Sequence, residues 1–275
     1  MMKKLKLPVL FYGLWAIFFI LVPIVLILFL GFSVEESGKT VFSLANFKRF
    51  FSPIYLSILW ASFKLAFFST LICLLIGYPF AWFIAKKKNR DIYMILIMIP
   101  MWMNFLLRTY AWLTLLGRNG LVNSFLVKIG IGQLELMYNN FSIMIGMVYN
   151  YLPFMILPIF TAITKLDYGY IEAGYDLGAT PQEVFRKIIF PLTKGGVITG
   201  ITMTFIPAIS TFVISQLLGG NNINLIGNII EQQFRYTGDW NFGSAISIVL
   251  IIIILVLIKF SLKNADEDGI EGGII

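Results

Sequence analysis

The chain has 275 residues, of which 59% are hydrophobic and only 13% are charged. A water-soluble domain carries about 25% charged residues because its surface must be solvated, so the composition excludes a soluble globular fold. Histidine is absent and Cys73 is the only cysteine in the sequence. These counts exclude a disulfide framework, a Cys/His zinc site and a histidine-dependent catalytic triad.

Six apolar segments are long enough to cross a bilayer, which takes about 20 helical residues. The second contains Lys64 and the third contains Arg108 as their only charges. The first is interpreted as a retained anchor, because its 22 residues exceed the roughly 7–15 of a signal sequence and no small-residue cleavage pattern follows. We predict an all-α polytopic membrane protein with about six transmembrane helices, at Val9–Leu30, Tyr55–Ala85, Ile92–Leu116, Phe141–Thr164, Gly195–Leu218 and Phe242–Ile258.

The basic residues are distributed unevenly between the two sides of these segments. With the N-terminus inside, thirteen of the 21 lysines and arginines fall in inner loops and termini, six in outer loops and two within spans. Lysine and arginine accumulate in short cytoplasmic loops, so we expect both termini in the cytoplasm. This distribution also accounts for the net charge of +7 without a nucleic-acid partner.

The sequence offers little catalytic or nucleotide-binding chemistry. Gly38-Lys39-Thr40 looks like the end of a phosphate-binding loop, but Ser33 stands where that loop needs its first glycine. All fourteen carboxylates lie outside the predicted spans, whereas a proton-coupled carrier usually buries one. A sodium-coupled carrier can use backbone carbonyls instead, so a stand-alone secondary carrier stays open as an alternative. We predict no catalytic residue, no metal site and no cofactor bound by this chain. The sequence therefore argues against an integral membrane enzyme.

The longest predicted cytoplasmic connection, residues 165–194, has an ordered set of helix signals. Asp167 is a typical N-cap, and Gly178 can end a helix in the left-handed conformation. Thr180-Pro181-Gln182-Glu183 is typical of a capped helix start. We therefore predict a helix, a glycine corner and a second helix that ends near Pro191, with an apolar stripe formed by Val184, Phe185, Ile188 and Ile189. A well-capped amphipathic connector without a partner is the alternative interpretation.

The stretch Tyr170–Pro181, followed by Ile188–Pro191, resembles the cytoplasmic "EAA" loop of ABC importer permeases. That pattern is E-A-A, a glycine four residues later and then I-x-L-P; here Gly174 replaces an alanine and Phe190 a leucine. The resemblance implies a type I ABC importer permease fold, one transmembrane domain over residues 1–275, and docking of the loop on an ATPase subunit. The coupling residues that it implies are Glu172, Ala173, Gly174, Asp176, Gly178, Ala179 and Thr180.

Four further stretches resemble permeases of the polyamine branch of these importers. They are Gly77–Trp82, Pro100–Tyr110, Leu217–Asn228 and Asp239–Gly243. The resemblance implies spermidine and putrescine import across the bacterial cytoplasmic membrane. It also implies two ATPase subunits that hold ATP and Mg²⁺, a second homologous permease in a heterodimer, and an extracytoplasmic polyamine-binding protein. An ABC permease for iron or for an amino compound is the alternative within this class.

A polycation can be attracted by the faces of aromatic rings and by a carboxylate at the mouth of the pathway. We therefore regard five residues as candidates for the substrate path: Trp102, Asn104, Tyr110, Asp239 and Trp240. Arg108 would repel a polycation, so we expect it to be a structural charge that points into the bundle. At 1.5 Å per residue it lies about 24 Å along a straight third span, near the outer leaflet. Glu135 and Glu231 are weaker candidates for the path, and we interpret them as solvated loop charges.

Overall fold

The computed structural model describes residues 12–36, 39–220 and 223–271, with side chains described up to residue 261. Residues 9–11 of the first predicted span and Gly38 therefore lie outside the described residues. The helices are α1 (Tyr12–Gly31), α2 (Ala45–Phe50), α3 (Pro53–Ala85), α4 (Arg90–Trp102), α5 (Phe105–Leu116), α6 (Leu121–Lys128), α7 (Asn140–Thr164), α8 (Tyr168–Asp176), α9 (Pro181–Ser210), α10 (Val213–Gly219), α11 (Ile226–Gln232) and α12 (Trp240–Glu271), and the strands are β1 (Ser33–Glu36) and β2 (Lys39–Phe42).

The membrane-spanning helices agree with the predicted fold class. Among the described residues, five helices are long and apolar enough to cross a bilayer: α1, α3, α7, α9 and the first part of α12. A sixth span is present when α4 and the helical segment that follows it are counted as one bent pair. The prediction of an all-α polytopic protein with about six spans is therefore confirmed.

The third predicted span, Ile92–Leu116, is not one continuous helix. The chain leaves helical geometry at Met103 and turns by 89° between α4 and the segment that begins with α5. The side chain of Asn104 accepts a hydrogen bond from the backbone N–H of Leu106 at 2.8 Å, which starts a new helix. This local cap outweighs the continuous hydrophobicity of the segment, and a depth for Arg108 calculated along one straight helix does not follow.

The fifth span also differs from the predicted Gly195–Leu218. Helix α9 begins in the loop and ends at Ser210, because Thr211 adopts an extended conformation. Pro191 does not end the loop helix as predicted. A proline has no N–H to donate and its ring crowds the preceding turn, and here a wider π-helical turn at Phe185–Ile189 precedes it. Such turns admit a local change in helix register, so the loop helix continues directly into the span.

The chain divides into two compact units, residues 1–58 with 229–253, and residues 59–228 with 254–275. In the second unit α7 packs closely against α9. A Cβ on Gly196 would lie 2.7 Å from the carbonyl oxygen of Pro158, and one on Gly200 would lie 2.8 Å from the sulfur of Met155. The two glycines thus permit close packing of α9 against α7 within the chain.

The first unit contains a small antiparallel hairpin of β1 and β2 that the sequence did not predict. Ser33 pairs with Phe42 and Glu36 pairs with Lys39. The carbonyl oxygen of Ser33 accepts hydrogen bonds from the side-chain amides of Asn46 at 2.9 Å and Asn241 at 2.6 Å. These two bonds attach the hairpin to α2 and to the first turn of α12.

Candidate functional site

The first helix of the predicted coupling loop, α8, is capped as expected. Asp167 has an extended conformation, and its Oδ1 accepts a hydrogen bond from the backbone N–H of Gly169 at 2.9 Å. This bond satisfies one of the amide groups that have no partner at a helix start. The predicted helix start at Asp167 is confirmed.

The corner after α8 has the hydrogen bonds of a Schellman motif. Gly178 has a φ of +80°, its N–H donates to the carbonyl of Tyr175 at 2.9 Å, and the N–H of Ala179 donates to the carbonyl of Gly174 at 3.1 Å. This is the pattern that closes a helix with a left-handed residue. A Cβ on Gly178 would meet nothing within 4 Å, so the glycine is required by backbone conformation and not by lack of space.

The second helix of the loop begins with a complete capping box. The N–H of Glu183 donates to Thr180 Oγ1 at 3.4 Å, and the N–H of Thr180 donates to Glu183 Oε2 at 3.0 Å. Pro181 occupies the first turn, where its missing N–H has no consequence. Lys187 adds an exposed ion pair to Glu183 at 3.0 Å; exposed pairs of this kind contribute little to stability. The predicted capping box is confirmed.

The two loop helices pack on a small apolar core of their own. Its buried members are Ile171, Val184 and Ile189, and Ile188 is packed against them. A Cβ on Gly174 would lie 2.6 Å from Cδ1 of Ile188. The small size of Gly174, which the resemblance counts among the coupling residues, therefore serves the contact between the two loop helices.

The outward surface of the loop is formed by the other predicted coupling residues. The side chains of Glu172 and Asp176 are exposed, as is Ala173. Leu177, which sequence reasoning missed, has 88% of its surface exposed at the end of α8. Its position directly before the corner glycine, at the C-cap of α8, was the available signal. Leu177 follows the carboxylates of Glu172 and Asp176 and directly precedes the corner at Gly178. Its exposed apolar side chain is available for contact with a partner protein.

Three of the five substrate-path candidates and Arg108 belong to the second unit. Trp102, at the end of α4, is 75% exposed, Tyr110 in α5 is half exposed, and Asn104 between them is the cap of α5. Arg108 is buried, and its Nε has no hydrogen-bond partner among the described residues. Its guanidinium carbon lies 5.8 Å from the centre of the Phe105 ring.

The other two candidates lie in the first unit, at the start of α12. Asp239 Oδ2 forms an ion pair with Arg49 at 2.7 Å, so this carboxylate has an internal partner. The exposed Trp240 packs edge-on against Phe234, with ring centres 6.2 Å apart. The interpretation of Glu231 as a solvated loop charge is wrong: it lies in α11, its side chain is 9% exposed, and Arg235 one turn later binds it at 2.8 Å.

Comparison with known proteins places this architecture in a family. Residues 73–266 match the family described as binding-protein-dependent transport system inner membrane component. The chain is 38% identical over 251 residues to the spermidine/putrescine transport system permease protein PotB of Haemophilus influenzae, covering 89% of this chain and 88% of that one. The PotB protein of Escherichia coli K12 is 39% identical over 246 residues, with 87% and 90% covered.

Solved structures support the same fold. A bacterial alginate ABC transporter in complex with its pentasaccharide-bound periplasmic protein contains a chain with a TM-score of 0.79 at 15% identity, covering 94% of this chain and 92% of that one. The MetNI methionine ABC transporter contains a chain with a TM-score of 0.60 at 16% identity, covering 78% and 95%. The helices, the loop and the matched residues together agree: the chain belongs to the family of binding-protein-dependent transport system inner membrane components.

Proposed function

We propose that this chain is a permease subunit of an ATP-driven importer for the polyamines spermidine and putrescine. The proposal is supported by relatives of that printed function that are 38–39% identical over 87–89% of the chain. The protein contributes spans to the translocation pathway, and both of its termini lie in the cytoplasm, where its basic loops accumulate.

The proposed assembly contains three kinds of partner besides the lipid membrane. Two ATPase subunits supply the energy and hold ATP and Mg²⁺, which this chain does not bind. A second, similar permease completes the pathway as a heterodimer, and an extracytoplasmic binding protein delivers the polyamine. No nucleic acid takes part.

The loop of residues 165–194 is the proposed docking site for an ATPase subunit. Its geometry is the main observation in support of this proposal. Its two helices are fixed to each other by a Schellman corner, a capping box and a buried apolar core. Its second helix is the first part of α9, which continues as one helix to Ser210. A displacement of the loop by the ATPase is therefore transmitted as a displacement of a membrane-spanning helix, which can change the access to the pathway.

The proposed pathway attracts a polycation without a carboxylate in the membrane. Trp102, Tyr110 and Trp240 offer aromatic faces that bind ammonium groups by cation–π attraction, and Asn104 offers an amide oxygen. Asp239 attracts the cation at the predicted outer mouth. Arg108 has a structural role in this proposal, because a guanidinium in the path opposes the passage of a like charge.

Charge reversal on the exposed face of the loop tests the proposal. Glu172→Lys should abolish the uptake of labelled spermidine into vesicles that contain the complete complex, while membrane insertion stays normal. Asp91→Lys is the matched control, because Asp91 is an exposed carboxylate on the same predicted side, 88% exposed and outside the loop. Normal uptake by the Glu172 variant would count against the coupling role.

The nature of the substrate and of the energy source is tested in the same vesicles. Putrescine should compete with spermidine, whereas iron and amino acids should not. Uptake that continues without ATP and without partner proteins would instead identify a stand-alone secondary carrier, the second candidate that the sequence left open.

A further inference from the structure

The carboxylate of Asp239 has two separate tasks at the start of α12. Its Oδ1 accepts a hydrogen bond from the backbone N–H of Phe242 at 3.1 Å, which is the geometry of a helix N-cap. Its Oδ2 is 2.7 Å from a terminal nitrogen of Arg49. The cap fixes the orientation of the carboxylate. Oδ2 therefore stays directed at the position that the guanidinium of Arg49 occupies.

An aromatic face forms the second wall of the same position. The guanidinium carbon of Arg49 lies 3.9 Å from the centre of the Phe242 ring, well within the range of a cation–π interaction. The Phe242 side chain is fully buried, and the ring of Tyr55 packs edge-on against it with centres 4.9 Å apart. A carboxylate oxygen and a ring face, both held by one helical turn, therefore converge on one cation.

The arginine is the movable part of this arrangement. The Arg49 side chain is 48% exposed and that of Asp239 is 34% exposed. An exposed ion pair gains little free energy, since water screens it and a long side chain loses freedom in it. The carboxylate and the ring are fixed by the cap and by packing, whereas the guanidinium lies at the end of a long, half-exposed side chain and is held only by non-covalent contacts with Asp239, the Phe242 ring and Tyr55.

We infer that Asp239 Oδ2 and the ring face of Phe242 form a cation-binding site that Arg49 occupies as a resident ligand, and that one ammonium group of a polyamine displaces it. The inference rests on the proposed function. It adds a binding site at which the guanidinium of Arg49 competes with an ammonium group of the polyamine. A carboxylate and an aromatic face are the two groups that bind an alkylammonium ion well. Competition by Arg49 keeps the binding weak, which a transport pathway needs so that the ligand can leave again.

The test is spermidine binding to the purified complete complex, without ATP and without the binding protein. Arg49→Gln should tighten the binding of labelled spermidine by about fivefold, the factor that corresponds to ~1 kcal/mol. Asp239→Asn should weaken it, because asparagine keeps the N-cap and removes the charge. Arg235→Gln is the control: it removes an arginine with a 67% exposed side chain from another ion pair in the same unit, with Glu231, and should leave spermidine binding unchanged.

The signs of the two effects separate a binding site from a structural clamp. If the pair only holds the fold together, the Arg49 and Asp239 variants change binding in the same direction, and the exchanged pair R49D/D239R restores normal uptake. Either result overturns the inference, as does unchanged binding in the Arg49 variant. Spermidine uptake by the unaltered complex tests the proposed function separately, so normal uptake with unchanged binding in R49Q rejects the site alone.

Discussion

The corner at Gly178 provides a sharp test of the loop, because conformation and space can be separated there. Gly178 has a φ of +80°, and a Cβ would meet nothing within 4 Å. Valine at this position causes no collision but must adopt a left-handed backbone, which costs about 1–2 kcal/mol for a residue with a branched side chain. That free energy lowers the population of the native corner relative to opened forms by a factor of roughly 5–30.

The assay measures two activities of the reconstituted complex: the uptake of spermidine and the spermidine-dependent hydrolysis of ATP. Gly178→Asn is the control. Asparagine enters the left-handed region readily, so G178N should retain most of the uptake while G178V loses most of it. Hydrolysis without uptake in G178V would show that the two activities have been separated. Equal uptake by G178V, G178N and the unaltered complex would refute the reasoning that this corner positions the docking face.

Two further predictions concern the packing and capping of the same region. Thr180→Ala removes the N-cap hydroxyl, which typically costs ~1 kcal/mol, and amide hydrogen exchange should accelerate in the second loop helix; unchanged exchange would show that the capping box is dispensable. Gly196→Leu forces a side chain onto the backbone of α7, where overpacking costs at least about 1–3 kcal/mol, so the thermal stability of the detergent-purified protein should fall. Gly195→Leu, whose Cβ meets nothing within 4 Å, should have no such effect, and equal losses would contradict the packing account.

The features that the sequence predicted correctly depend on short-range chemistry. The caps at Asp167 and Thr180 and the corner at Gly178 need only residues up to a few positions away, so their signals are complete in the sequence. The spans were predicted because a continuous apolar segment has few alternatives in a bilayer. The role of the loop followed from the resemblance and stays a prediction.

The features that the sequence missed depend on competition or on distant partners. In the third span, hydrophobicity favours one helix and the cap at Asn104 favours two, and their balance is not visible in the pattern. The pair of Arg49 and Asp239 joins residues 190 positions apart, so no local signal could connect them.

The claim that an ATPase subunit docks on the 165–194 loop can be tested by placing one cysteine at Leu177, the exposed residue at the end of α8. Cys73 is the only native cysteine in the sequence and is fully buried, so Leu177→Cys supplies the one accessible thiol among the described residues. A short maleimide reagent that carries a photoreactive benzophenone should couple to this thiol and, on irradiation, link it to the co-expressed ATPase subunit, and binding of the subunit should protect the thiol from labelling. A thiol that is labelled at the same rate with and without the ATPase, and that forms no cross-link, would contradict the account.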